Sequence, residues 1–342
     1  MVNLKEKSSR ERVEEYLHDK LRLCEPGDRL PSIRQIKQDC GVSQSVVDKV
    51  IMQLLVDEQI KVKRPSGLFK AVPPVPKIKV LNFKSHMSGS FYHFMLTETF
   101  YVMASRNRQV EIIPINDPAE ISEHISESNN TTYVTFSMSL RDYPAVSHLN
   151  KVVHLLPDFA EEVSPSLCID DAQLMQAQLE YLVSKGHRRI AYFHIYDENN
   201  YSRAQNVRWD TFHRLGFAMK LDFNEQYLVG FSGKNGQEKV DAIKSLMKMQ
   251  NPPTAFLMAG DDMVYSVYNG LMQAGLEPGK DIPVLGTNNL EWCKYTSPQL
   301  SSIGFDVPAG LEAMLDMIEE IELGGEGRAI KFPLRTGIRE SC

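Results

Sequence analysis

The sequence predicts a small α+β unit of three helices and a hairpin over residues 1–72, followed by a two-lobed α/β unit with parallel sheets over 78–342. Three observations carry this. Helix-period apolar spacing fills the first fifty-odd positions and then gives way to strand alternation. A proline-rich spacer at 73–77, within "VPPVPK", separates the two patterns and reads as a semi-rigid strut. Beyond it, short apolar runs alternate with helical stretches, the signature of parallel strands covered on both faces. A chain of 342 residues has room for more than one such unit.

In the first unit, Val13, Tyr16, Leu17 and Leu21 line one helix face. "EPGDRLP" ends that helix with two prolines and a glycine. Ser32 is a fitting cap for a second helix, whose Ile33 and Ile36 point inward. Gly41 suits the tight turn, because it lacks the Cβ that opposes positive φ. Ser43 then caps a third helix with the stripe Val47, Val50, Ile51, Leu54 and Leu55. "IKVKRPSGLFKAV" alternates at Ile60 and Val62, turns at Pro65-Ser66-Gly67 and resumes at Leu68, a hairpin bearing Lys61, Lys63, Arg64 and Lys70. Two helices about a glycine turn, with a basic hairpin behind them, form a helix-turn-helix layout with a wing. On spacing alone this unit binds either DNA or another protein.

In the second unit the expected strands are "IKVLNF", "VEIIPI", "YVTF", "VVHLL", "RIAYFHI", "TAFLMA" and "IPVLG". The expected helices are Phe91 to Arg106, Asp171 to Lys185, Gln237 to Gln250 and Asp261 to Ala274. Some 265 residues exceed one doubly wound sheet, so two lobes are expected. In such folds ligands sit at the carboxyl ends of the strands.

Composition narrows the function classes. Apolar residues make up 42% and charged residues 24%, an ordinary globular balance. No apolar run is long enough for a membrane span, and "MVNLKEKSSRERVEEY" is too charged for a secretory signal. Five cysteines without a CxxC pair fit reduced thiols in the cytoplasm. The net charge of −6 is unevenly placed: residues 1–72 carry +3 and the rest −9. No HExxH, no paired Cys/His spacing and no GxSxG occurs, and "GFSGKNGQEK" lacks phosphate-loop spacing. No catalytic residue, metal or cofactor is therefore expected.

Two resemblances sharpen the reading. "PGDRLPSIRQIKQDCGVSQSVVDKVIMQLL" with the hairpin that follows resembles the winged helix-turn-helix of the GntR family of bacterial regulators. That resemblance implies duplex DNA as a partner. It makes Arg34 a phosphate contact, places Gly67 at a wing tip that enters the minor groove, and points to Ser43, Gln44, Ser45, Asp48, Lys49 and Arg64 as the remaining DNA-facing residues. The family's arginines after the serine of "GVS" and four residues on are here Gln44 and Asp48. Glutamine suits adenine and aspartate can accept from cytosine N4, so an unusual operator is expected. A solvated Asp48, or one paired with Lys49 or Arg34, is the equally weighted alternative.

From about Ser166 to Ile338, "SLCIDDAQLMQAQLEYLVSKGHRRIAYF" and "PPTAFLMAGDDMVYSVYNGLMQAGLEPGKDIPVLGTNN" resemble the effector domain of the LacI/GalR family, a periplasmic-binding-protein-like fold of type I. The combination is similar to the arabinose-repressor group. It implies an allosteric, non-enzymatic repressor, homodimeric on a palindromic operator, with a sugar or sugar phosphate between its lobes. Matched positions nominate Ser90, Phe91, Tyr92, Asp158, Arg208, Asp261 and Asn288 as effector contacts. Arg208 is expected to fork toward ligand hydroxyls, so that its loss would spare the unliganded fold. Competing classes are a transport solute-binding protein, which would need a signal peptide and no wing, and an enzyme fused to a DNA-binding head.

Overall fold

The computed structural model describes residues 7–57, 59–63, 65–71, 77–83, 90–124, 131–138, 143–146, 151–157, 164–195, 203–231 and 234–342. The spacer prolines, Arg64 and Asp158 lie outside these residues. The chain divides into two compact units, Met1–Val75 and Pro76–Cys342.

In the first unit, α1 (Ser9–Leu23) opens with a capping box between Ser8 and Glu11. Ser32 caps α2 (Ile33–Cys40) by accepting from the Gln35 N–H at 3.2 Å. Gly41 ends α2 in the left-handed region at φ 63°. Ser43 precedes α3 (Gln44–Val56) in an extended conformation, but its hydroxyl makes no capping bond. Strands β1 (Ile60–Lys63) and β2 (Gly67–Lys70) pair antiparallel, with Lys63 opposite Gly67. Gly67, at φ +111°, supplies a backbone conformation that side-chain-bearing residues rarely adopt. Val13, Leu17, Ile36, Val47, Val50, Leu54, Ile60 and Leu68 form the core.

Three details depart from expectation. The breaker segment is more than a break: Arg29 bridges to Phe69, and Leu30 N–H donates to Leu68 O at 2.9 Å. Val62 is 47% exposed although it shares a face with Ile60, so Ile60 alone of β1 is buried. Lys70 does not point outward as part of the basic wing, because its Nζ donates to Leu21 O and Cys24 O, both at 2.8 Å, and so closes the end of α1.

The second unit has two sheets. The first lobe contains β3 (Lys77–Phe83), α4 (Ser90–Ser105), β4 (Gln109–Ile115), the short α5 (Ile121–His124), β5 (Thr131–Phe136), β6 (Val152–Leu155) and β7 (Ser166–Cys168). The chain then crosses to the second lobe for α6 (Asp171–Ser184), β8 (Ile190–His194), α7 (Arg203–Ala218), β9 (Leu228–Gly230), α8 (Gly236–Met247), β10 (Ala255–Met258), α9 (Val264–Gln273), β11 (Val284–Asn288) and β12 (Ser301–Phe305). It returns to the first lobe for α10 (Val307–Glu322) and β13 (Ala329–Lys331), and ends in the second with β14 (Leu334–Gly337). The sheet orders are β13-β7-β6-β5-β3-β4 and β14-β12-β11-β10-β8-β9. Every pairing is parallel except β12 with β14.

The three crossings are tied to one another. Phe332 N–H donates to Cys168 O, Asp306 N–H to Pro333 O, and Lys331 Nζ to the Asp170 carboxylate. Among the described residues no helix is long and apolar enough to cross a membrane, and no cluster of three or more His, Cys, Asp or Glu could hold a metal ion.

The helix expected from Asp261 to Ala274 begins instead as a 3-10 turn, Asp261–Met263, before α9. Asp261 does not cap it, because its carboxylate is engaged elsewhere.

Candidate functional site

The outward face of α3 is the first candidate surface. Helical spacing turns Val47, Val50, Ile51 and Leu54 inward and leaves Gln44, Ser45, Asp48, Lys49, Met52, Gln53 and Val56 exposed. Arg34, on α2, and Ser43 are exposed as well. Among the described residues, no hydrogen bond or ion pair engages the side chains of Arg34, Gln44, Ser45, Asp48 or Lys49. The pairing of Asp48 with Lys49 or Arg34 is therefore absent, and the carboxylate stands uncommitted. Ser45, Asp48, Lys49, Met52, Gln53 and Val56 line a shallow open groove. Lys61 and Lys63 are exposed on β1, with the Lys63 ammonium 5.1 Å from the Phe69 ring centre.

The second candidate lies between the two lobes of the second unit, at the carboxyl ends of their strands. Ser90, Phe91 and Tyr92 form the first turn of α4; Ser90 is exposed and the two rings are half-buried. The Phe91 ring sits 5.8 Å from Tyr92 and 6.3 Å from Phe305, at the end of β12 in the opposite lobe. Tyr92 lies 6.4 Å from Phe136, at the end of β5, and within electrostatic reach of Arg208. The structure thus brings Phe91, Tyr92 and Arg208 together.

Arg208 is not a free forked donor. It is 6% exposed, its Nε donates to Asp171 Oδ1 at 2.6 Å and its Nη1 to Ala259 O at 3.1 Å. Burial opposes its charge, but Asp171 beside it more than compensates, and its pKa is raised. Asp171 was not anticipated. A carboxylate in the first turn of a helix ordinarily reads as complementing the helix dipole.

Asp261 does not line the cleft. It is 1% exposed; Oδ2 accepts from Leu290 N–H at 2.9 Å and Oδ1 from the Ser302 hydroxyl at 2.7 Å. Burial pushes its pKa up to about 6. It braces the segment after β10 to the residues just past β11 and to the start of β12. Thr287 is likewise internal: it donates to Met258 O at 2.6 Å and accepts from Gln178 at 2.7 Å.

Asn288 ends β11 at φ 97°, and its Oδ1 is buried without a hydrogen-bond partner. Two residues that sequence reasoning missed share that condition: Asn82 Oδ1, near the end of β3, and Gln205 Oε1, in the first turn of α7. The Tyr192 hydroxyl is also unpartnered, within electrostatic reach of Arg208 and Asp171. Buried polar atoms are almost always satisfied, so each of these unpartnered ones has room for a further hydrogen-bond partner. A polar residue inside the apolar run "IKVLNF" was the available signal for Asn82; Gln205 offered none.

Residues 179–342 match the family model described as a periplasmic binding protein-like domain. The HTH-type transcriptional regulator GanR of Bacillus subtilis is 28% identical over 156 residues, 44% of this chain and 46% of its own length. The chain spans about half the length of the curated relatives it matches, 64%, 46% and 52% for three from Bacillus subtilis. A solved regulatory protein of the LacI family from Chloroflexus aggregans superposes with a TM-score of 0.64 at 21% identity, covering 77% of this chain and 98% of that one. A LacI family transcriptional regulator from Lactobacillus casei, solved with bound glucose, gives 0.61 at 18% identity over 78% of this chain and all of its own. The second unit therefore has the two-lobed periplasmic-binding-protein-like fold.

Proposed function

We propose that the chain is a transcriptional repressor of LacI type, cytoplasmic and non-enzymatic, whose affinity for operator DNA is switched by a small polyhydroxylated ligand held between its lobes. The observation that carries this is the set of unpartnered amide oxygens, those of Asn82 and Asn288 at strand ends and that of Gln205 in the first turn of α7, in a fold shared with a glucose-bound regulator. Acceptors buried without donors call for a donor-rich ligand, and hydroxyl groups supply donors. Phe91 offers an apolar face for a sugar ring. Because Asp171 already neutralises Arg208, an uncharged sugar fits the described residues better than a sugar phosphate.

The head is of GntR type on this reading, supported by the order α1-α2-α3-β1-β2 and by the "PGDRLPS" run. Residues 1–72 contact duplex DNA through Arg34, Ser43, Gln44, Ser45, Asp48, Lys49, Arg64 and Gly67. Residues 73–77 couple the head to the ligand-binding part at 78–342. A symmetric dimer on a palindromic operator would cover exposed aromatics, such as Tyr265 stacked on Trp292 and Tyr101 beside Phe100.

A thermal-shift screen of neutral monosaccharides, sugar acids and sugar phosphates tests the ligand. A ligand at ~100 times its dissociation constant should stabilise the fold by about 2.7 kcal/mol. The same compound must change operator affinity, and operator must change ligand affinity by the same factor. A stabilising sugar that leaves DNA binding untouched would defeat the switch.

A further inference from the structure

The outward row of α3 carries two exposed apolar side chains, Met52 and Val56. Ser45, Lys49, Met52 and Val56 recur at helical spacing opposite the core row, with Met52 60% and Val56 71% exposed. They share their groove with Asp48 and Gln53. The one positive charge there is balanced by Asp48, so the row has little general attraction for phosphates. Other exposed cations of this unit include Arg34 on α2 and Lys61 and Lys63 on β1.

A helix with this face can still read DNA, by a different chemistry. In the major groove the one apolar group on the base edges is the thymine C5-methyl, and apolar side chains recognise it. Met52 lies seven residues beyond Ser45, about 10 Å along the axis. A recognition helix that lies along the major groove keeps successive turns of one face toward the base edges, so both residues can reach them. A thioether chain is flexible enough to follow a methyl group on either side of the helix axis. The uncommitted Asp48 carboxylate, which phosphates would repel, fits beside an exocyclic amino group in the same row of bases.

We propose that Met52 is a specificity-determining residue that reads a thymine C5-methyl in each operator half-site. This inference rests on the head being a DNA-binding unit, and the test separates the two.

Full-length protein is used to select duplexes from a random-sequence pool, and affinity is measured on the winning duplex with each thymine replaced in turn by uracil, which deletes only the methyl. The wild type should lose about fourfold at one thymine per half-site, the equivalent of one buried methyl. Met52→Ala should bind the thymine and uracil duplexes equally, and Met52→Leu should restore part of the discrimination. Lys61→Ala should weaken both duplexes alike and keep their ratio. Operator selection without any uracil-sensitive thymine, or a sensitivity that survives in Met52→Ala, overturns the role of Met52 while leaving DNA binding standing. Failure to select any duplex overturns the DNA-binding reading itself, and this inference with it.

Discussion

Each lobe is built on a six-stranded sheet, all parallel in the first and parallel but for β14 in the second, and the two close the carboxyl edges of their sheets by different means. The second lobe uses polar wiring: Arg208 with Asp171 and Ala259 O, Asp261 with Ser302 and Leu290, Gln178 with Thr287 and Met258 O. In the first lobe β5 and β6 are fully buried, and among the described residues Thr135 pairs with His154 at 2.8 Å near the carboxyl ends of these strands, while Thr132 reaches Glu322 at the other end of β5. Polar wiring fixes particular residues at particular positions; apolar strands accept any side chain of suitable volume.

The sharpest way to break this contrast is Arg208→Ala. It strands the buried Asp171 carboxylate, 5% exposed, and should cost about 3–5 kcal/mol in chemical denaturation of the unliganded protein. That reverses the expectation of an unchanged apo fold. A loss of ligand binding without loss of stability would return Arg208 to the role of a free donor.

Titration separates the lobes further, because their buried groups run in opposite directions. Burial lowers His154 to about 4, below its ordinary 6.5. The unfolded chain therefore binds this proton first, and stability is lost as pH falls from about 6.5 to 4, by as much as about 3 kcal/mol. Asp261, raised to about 6, does the reverse: its contribution is full below about 4 and fades as pH rises through 6, by a similar amount. Denaturation midpoints against pH should steepen toward acid in Asp261→Asn and flatten in His154→Gln. Identical profiles in the two variants would refute the assignment.

The smallest effect compares two threonines. Thr287→Val removes a hydroxyl that donates to Met258 O and accepts from Gln178, and should cost about 1–3 kcal/mol. Thr135→Val removes a single bond to His154 and should cost about 1 kcal/mol. Thermal midpoints measured at one pH check the order.

The same contrast explains what could be read in advance. The family model begins at residue 179 and the resemblance at Ser166, so the recognisable part is largely the wired lobe. In the first unit the caps, the Gly41 turn and the hairpin were legible because each is a local rule. β7, β9, β12, β13 and β14 were missed, four of them because runs of three or four residues carry no period; α7 and α10 are amphipathic and were passed over. The site was legible in place more than in role. Arg208 and Asp261 do sit beside strand ends, but a carboxylate after a strand looks the same whether it faces a ligand or a neighbouring backbone N–H. Only the fold shows that Ser302 and Leu290 arrive from elsewhere to occupy Asp261.

The paired crossings between lobes bear on how the chain matures during synthesis. Domains commonly fold in the order in which they emerge. Here the first lobe's sheet has an edge strand, Ala329–Lys331, made after nearly all of the second lobe, and the second lobe's own edge strand, Leu334–Gly337, follows directly. Neither sheet is complete until the other is about to be. Both lobes must wait on the ribosome with an edge open, β7 lacking β13 and β12 lacking β14, and they close almost together. A nascent chain stalled before residue 329 should expose both unpaired edges and bind chaperones, whereas one released past residue 337 should not.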